Sequence, residues 1–214
     1  MADRVRFFFD PLCPWCYQTS RWVTQLTDLG EVDVSWGVFS LEIANAGDGA
    51  DIAALGTTAA AAAALRTVVV VRDAEGDAGV GRFYAALGAA VHQRGEPVED
   101  RQVIAQALEQ AGLPESLLDK ALGDSATWQA VVAEHHALVE RTRSFGVPTI
   151  VLDGGDGPAI FGPVISEVPS AADAVELWRH VAWLARYENF SELKRDRTTE
   201  PDLESVRRYN ASRA

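Results

Sequence analysis

Cys13 and Cys16 are the only thiols of this 214-residue chain, and they stand together in Cys13-Pro14-Trp15-Cys16. Two thiols this close in sequence cannot build the multi-bridge framework that staples small secreted domains, so their role is local. Ahead of them, Val5-Arg6-Phe7-Phe8-Phe9 is a β-branched and aromatic run ending at Asp10-Pro11, which predicts a short buried strand. Behind them the pattern is helical. Cys13 suits the N-cap, and Pro14 takes the first helical position, where its missing N–H costs nothing. Trp22, Val23, Leu26 and Leu29 then recur at helical spacing until Gly30. A Cys-X-X-Cys pair on a strand-to-helix turn restricts the chain to folds that bring a strand end and a helix N-terminus together.

Val32, Val34, Trp36 and Val38 alternate with polar or small residues and predict a second strand, so the chain opens β-α-β with two parallel strands. From about Ala44 to Arg143 the pattern is helical. Thr57 or Thr58 is a cap for an alanine-rich helix reaching about Arg72, within which Val68 to Val71 favour strand. Four further helices are predicted around Val80 to Val91, Val103 to Ala111, Leu117 to Leu122, and Ser125 to Val139. At Gly146 the strand pattern resumes. Val147 to Leu152 and Ala159-Ile160-Phe161 predict a hairpin across the turn Asp153 to Gly157. Ser170 with Asp173 then caps a helix bearing Ala174, Leu177, Trp178, Val181 and Leu184, and the tail from Ser191 reads as polar and frayed. The expected fold is α/β: a β-α-β … β-β-α unit from residues 1–44 and 145–214, with an all-helical insertion at 45–144. At roughly 100–200 residues per domain, the length suits one domain carrying an insertion.

A net charge of -12 disfavours nucleic acid, and the one basic run, Lys194-Arg195-Asp196-Arg197, reads as a solvated turn or helix end. The apolar stretch from Ala59 to Val71 is broken by Arg66 and is too short for a membrane span, and the first ten residues carry no signal-peptide core. The expected compartment is therefore the cytosol, where a Cys-X-X-Cys pair is catalytic or metal-binding more often than structural. Zinc would need further ligands, and of the adjacent His135 and His136 only one is able to join the cysteines, so no metal is expected. Gly154-Gly155-Asp156-Gly157 joins two strands and reads as a turn, not a phosphate cradle. The chain has no Gly-X-Gly-X-X-Gly at a strand-helix junction, which leaves no sign of a tightly bound nicotinamide or flavin.

The chemistry of the pair follows from its place. A thiolate attacks in disulfide exchange, and a helix N-terminus stabilises it with partial positive charge and free N–H donors. A thiol of pKa ~8.5 is about 3% ionised at pH 7. Lowered to ~6, it is about 90% ionised, a shift of roughly 3.4 kcal/mol. Cys13 is the expected nucleophile and Cys16, one turn further into the helix, the more buried resolving thiol. Asp10 would oppose a low pKa if it pointed inward, and is expected to face away. Trp15 reads as a stacking surface for substrate, His136 as lining the cleft and steering a proton, and His135 as a core histidine. His92 and His180 read as incidental, and Trp22, Trp36, Trp128, Trp178 and Trp183 as mostly core. The alternatives to an enzyme are a zinc site and a redox-sensing or chaperone module.

The order of elements, with Gly146-Val147-Pro148-Thr149 ahead of the second strand pair, resembles the DsbA-like branch of the thioredoxin-fold superfamily. More narrowly, several segments resemble the actinobacterial mycothiol-dependent nitroreductase group. They are Phe9-Asp10-Pro11-Leu12-Cys13-Pro14-Trp15-Cys16, Thr19-Ser20-Arg21-Trp22, His135-His136, Phe161-Gly162-Pro163-Val164 and Glu192-Leu193-Lys194-Arg195. The sequence departs from that group at Tyr17, where Trp is expected, and in the Ala59 to Ala64 run. The resemblance implies a cytoplasmic oxidoreductase whose Cys13 and Cys16 cycle between dithiol and disulfide. Mycothiol is the implied reductant, and disulfides or small electrophiles such as nitro compounds are the acceptors. It implies that Pro148 is a cis-proline keeping the backbone of Val147 across from Cys13, with Pro14, Trp15, Val147, Thr149 and His136 around the substrate. It further implies a mycoredoxin-type reductase as a partner, and a homodimer is a further possibility. The runner-up is a kappa-type glutathione transferase or 2-hydroxychromene-2-carboxylate isomerase, in which one thiol-activating residue suffices.

Overall fold

The computed structural model describes residues 2–213. Its elements run β1 (Asp3–Phe9), α1 (Pro14–Asp28), β2 (Val32–Val38), α2 (Leu41–Ala44), α3 (Ile52–Thr58), α4 (Ala62–Gly88), α5 (Arg101–Gln110), α6 (Ser116–Gly123), α7 (Ala126–Thr142), β3 (Thr149–Leu152), β4 (Ala159–Phe161), α8 (Ala171–Arg186) and α9 (Glu204–Ala211). The strands form one sheet in the order β2-β1-β3-β4. β1 pairs parallel with β2 from Asp3↔Val32 to Phe9↔Val38, and antiparallel with β3 from Val5↔Leu152 to Phe8↔Thr149. This is the thioredoxin-like α/β arrangement, with α2 to α7 falling between β2 and β3. The central position of β1 explains its sequence: a strand covered on both faces reads as a continuous apolar run, and Phe7, Phe8 and Phe9 are all buried.

The helical segment departs from the expected boundaries. Asp51, not a threonine, caps α3 by accepting from the Ala54 N–H at 3.1 Å, and α4 begins at Ala62 with no side-chain cap. α4 continues past Arg72 to Gly88, with a break at Gly76, whose φ of 66° a side chain would oppose. Val68 to Val71 are helical despite their strand preference. All four are buried where α4 packs on α5, α6, α7 and β2, and burial of about 1.5–3 kcal/mol per side chain outweighs a propensity scale spanning about 1 kcal/mol.

A buried charge and a half-buried one fasten this segment. Arg66, an interruption in the sequence pattern, is a hub in the structure. It donates to Thr127 Oγ1 at 2.9 Å, to Gly56 O at 3.1 Å, and to Ala121 O, Leu122 O and Asp124 O at 2.8, 3.1 and 3.2 Å. Glu134 of α7 accepts from Arg6 at 2.5 Å, from Arg72 at 2.7 Å and from the Val38 N–H at 3.2 Å, tying α7 and α4 to the β1–β2 end of the sheet.

Ser170 caps α8 as expected, accepting from the Asp173 N–H at 3.3 Å. Trp183 does not join the core: it lies on the outer face of α8, stacked on Tyr187 with centroids 5.2 Å apart. The tail is only partly frayed. Residues 191–203 lack regular structure and the run from Lys194 to Arg197 is exposed, but α9 follows, and Pro201 and Leu203 ahead of it are buried. Among the described residues no single helix is long and apolar enough to cross a membrane.

Candidate active site

The site lies where β1 hands the chain to α1. The Cys13 N–H donates to Asp10 O at 3.0 Å, closing a turn that sets Cys13 in extended conformation at the N-cap of α1 with Pro14 as the first helical residue. From there the Cys13 sulfur accepts the Cys16 N–H at 3.3 Å. It serves as the capping acceptor of its own helix, which stabilises it most when it is anionic. Cys13 retains 6% of its surface while Cys16 retains none, so only Cys13 offers an edge to an incoming molecule. Both thiols are free.

Proton affinities separate in the same sense. A hydrogen bond from the Cys16 thiol lowers the Cys13 pKa, aided by the N–H groups of Cys16 and Trp15, against burial and the charge of Asp10. Burial pushes the Cys16 thiol well up, and its bond to Cys13 adds to this. One sulfur is therefore held ready to ionise, and the other keeps its proton until a base removes it.

Across from Cys13 stands the loop before β3. The Val147–Pro148 peptide is cis, and the thiol form of Cys13 donates to Val147 O at 3.7 Å. Thr149 Oγ1 donates to Gly146 O at 2.8 Å, and the Gly162 N–H to Pro148 O at 2.8 Å, fixing the loop to itself and to β4. Val147, Pro148 and Thr149 are buried, and Pro14 and Trp15 are half-buried. Trp15 is not bare, because the guanidinium of Arg197 lies 5.1 Å over its ring.

Asp10 does not face away. It is fully buried, with Oδ1 accepting the Leu12 N–H at 2.7 Å and Oδ2 accepting the Leu41 N–H, the first amide of α2, at 2.6 Å. These two backbone donors draw the carboxyl inward. Burial pushes its pKa up to about 7, with the N–H groups of Leu41 and Leu12 opposing and Glu42 adding to the rise. At neutral pH it is therefore able to take a proton from Cys16 or return one. An Asp in an unfolded chain titrates near 3.9, so the folded chain holds this proton more tightly. Asp10 then contributes most to stability below about pH 4, its contribution falls as pH climbs to about 7, and it is flat above, a full drop of about 4 kcal/mol. Asp10→Asn is expected to remove that slope, at a constant cost from one N–H left without an acceptor. Urea unfolding of both chains from pH 4 to 8 checks this, and parallel curves would refute it.

The histidines are arranged differently from the sequence reading. His135 is in the core as expected, with Nδ1 accepting the Ser40 N–H at 3.3 Å; burial lowers its pKa to about 4. His136 is exposed and lines an open cleft of about 530 Å³ with Phe39, Ile43, Ile52 and Phe145, and neither cysteine lines that cleft. The structure therefore does not bring His136 to the thiols. His92 is not incidental: it is buried, stacks on Tyr17 at 5.4 Å, and its Nε2 lies 2.9 Å from Pro11 O, two residues before Cys13. The sequence carries no signal for it, because five residues past Leu87 it lies about 140° round a regular helix from that apolar face. Tyr84, stacked 3.8 Å from Phe9, was likewise hidden among core aromatics. Burial, with the charges of Cys16, Cys13 and Asp10, pushes its pKa well up.

The family described as Rv2466c-like, mycothiol-dependent nitroreductase Rv2466c, matches residues 12–195, which takes in the dithiol, the cis-proline loop and all of α2 to α7. The chain belongs to this family. The uncharacterized protein Rv2286c of Mycobacterium tuberculosis is 32% identical over 194 residues, 91% of this chain and 82% of that protein. Among solved structures, the cytosolic disulfide reductase DsbM of Pseudomonas aeruginosa superposes with a TM-score of 0.60 at 19% identity, covering 85% of this chain and all of that one. A 2-hydroxychromene-2-carboxylate isomerase superposes with 0.59 at 19% identity, covering 86% and 96%. At these identities the two structures establish the fold. The family match makes this Rv2466c-like chain a thiol oxidoreductase. Among the described residues no three His, Cys, Asp or Glu side chains gather as a metal-binding group.

Proposed function

We propose that the chain is a cytoplasmic dithiol oxidoreductase that draws electrons from mycothiol and passes them to disulfides or small electrophiles such as nitro compounds. The observation that carries this reading is the asymmetry of the pair. Cys13 sits at the helix cap with an accessible edge and a lowered pKa, while Cys16 is sealed beneath it with a raised one. Cys13 is the nucleophile, Cys16 resolves, and Pro148 holds Val147 across from them. Pro14, Trp15 and Thr149 complete the surround. Residues 1–44 and 145–214 act as the thioredoxin-like unit and 45–144 as the inserted helical domain, a division supported by the placement of α3 to α7 between β2 and β3.

In the reducing direction the Cys13 thiolate attacks an acceptor sulfur and displaces a thiolate. Cys16 loses its proton to Asp10 and attacks Cys13, forming the Cys13–Cys16 disulfide and releasing the second half of the acceptor. Two equivalents of a low-molecular-weight thiol restore the dithiol and leave as their own disulfide, which a mycoredoxin-type reductase recycles. The residues present fit a thiol co-substrate. The chemistry it needs is a reactive sulfur at a helix N-terminus with backbone opposite, and the Cys13 sulfur and Val147 O provide that pairing. The test is turnover of a nitroaromatic probe with mycothiol and its recycling reductase, set against the same assay with glutathione. Turnover with mycothiol is the expected result. No turnover with mycothiol would overturn the reading.

A further inference from the structure

Past the end of α8 the chain runs as an irregular strap, residues 191–203, and two contacts, one from the strap and one from α9, reach residues that follow and precede the nucleophile in the chain. On one side Arg197 lies 5.1 Å over the ring of Trp15, two residues after Cys13. On the other, α9 closes onto the segment that ends α4. Ser205 Oγ lies 2.9 Å from His92 Nδ1, and His92 Nε2 lies 2.9 Å from Pro11 O, two residues before Cys13. A carbonyl only accepts, so Nε2 carries the hydrogen and Nδ1 accepts from the Ser205 hydroxyl. His92 is thus a rigid relay from α9 to the loop that delivers the dithiol.

The anchoring is built, not incidental. Leu203 and Pro201 are buried at the foot of α9, and Arg208 donates to Gly95 O at 2.7 Å. Gly95 has φ of 69°, and a Cβ there would stand 2.7 Å from the Arg208 guanidinium carbon, so the absence of a side chain leaves room for the latch. Burial lowers the His92 pKa to about 4, which keeps the relay neutral and intact at physiological pH. Arg197 and Ser205 both lie beyond residue 195, where the family match ends.

We propose that this strap, latched by α9 through Ser205 and His92, is a specificity gate that admits small acceptors to Cys13 and holds off protein disulfides. A protein disulfide must bring a broad surface to the sulfur, whereas a small molecule needs only the narrow edge that the strap leaves. The gate rests on the reading of Cys13 as the nucleophile, but its test does not depend on which acceptor is physiological.

The test measures alkylation of Cys13 in a Cys16→Ser chain by two reagents, iodoacetamide and a maleimide carried on a long polymer. They are compared in the latched chain, in one with Leu203→Asp, and in one ending at Phe190. A latch whose open form is populated at 0.1–10% predicts that releasing it speeds the polymer reagent by about tenfold or more while iodoacetamide changes less than about twofold. Reduction of insulin disulfides by the same released forms with Cys16 intact is expected to rise in parallel, with small-disulfide reduction unchanged. Should the truncated chain lose its native melting transition, Leu203→Asp decides, with Ser205→Ala as the milder release. An unchanged polymer-to-iodoacetamide ratio in a natively folded released form would overturn the proposal. A changed ratio without any mycothiol-dependent turnover would leave the gate standing and overturn the proposed mycothiol-driven activity.

Discussion

Cys13→Ser is expected to remove dithiol-dependent turnover completely, and Cys16→Ser to stop it after one step. The first follows from bonding: a serine oxygen is unionised at neutral pH and forms no bond equivalent to a disulfide, so no intermediate accumulates. The second follows from geometry. The Cys13 sulfur is already stabilised by the Cys16 N–H at 3.3 Å, a backbone donor that survives the substitution, so it still attacks and then waits as a mixed disulfide. In that chain a serine hydroxyl replaces the thiol donor that most lowers the Cys13 pKa, and it donates in the same place. Mass spectrometry of each variant after exposure to a small disulfide distinguishes them: no adduct on Cys13→Ser, and one stoichiometric adduct on Cys16→Ser. Full turnover by Cys16→Ser would instead place the chain with the single-thiol isomerases and transferases that share its fold.

Arg66→Ala is expected to be the most damaging single change outside the site. Arg66 is 6% exposed, and its guanidinium serves the backbone oxygens Gly56 O, Ala121 O, Leu122 O and Asp124 O, along with Thr127 Oγ1. Among the described residues no carboxylate bonds to it. The partial negative charge of carbonyls that helix ends leave unpaired takes that role. Truncation opens a cavity and strands several buried acceptors, for a loss of about 3–5 kcal/mol. Arg66→Lys keeps the charge but not the planar fork, and is expected to recover only part of it. Urea denaturation checks both, and a loss under about 1 kcal/mol for Arg66→Ala would show that the hub is dispensable.

These two sites differ in how far the sequence revealed them. The dithiol turn was legible because its parts are local: an apolar run, a proline at the first helical position and two thiols one turn apart. The strand pairing followed, since a β-α-β opening leaves parallel strands as the natural outcome. In the sequence Arg66 is only a break in an apolar stretch, because its partners come from residues 56 and 121–127, a proximity that sequence periodicity does not encode. The same holds for Asp10, whose inward turn depends on the Leu41 N–H arriving from beyond β2, and for His92, whose role depends on α9. Val68 to Val71 misled for a different reason: their preference is intrinsic, while the burial that overrides it is tertiary. Helical spacing puts Trp183 in the core, yet α8 packs on α1 with its other face. α9 itself has too few apolar residues, with Leu203 and Val206 foremost, to announce a helix without the surface it caps.

The two oxygens of Asp10 each hold a different part of the chain, one the amide leading into the dithiol and the other the amide that starts the helical segment. Proton uptake by this one carboxyl therefore loosens both grips together. The exchange of the Leu12 and Leu41 amide hydrogens with solvent is governed by one titration, although the two residues belong to separate elements. An electron pair leaving the dithiol is in this way accompanied by a proton whose resting place is also a structural joint, so each turnover touches the seam between sheet and helices.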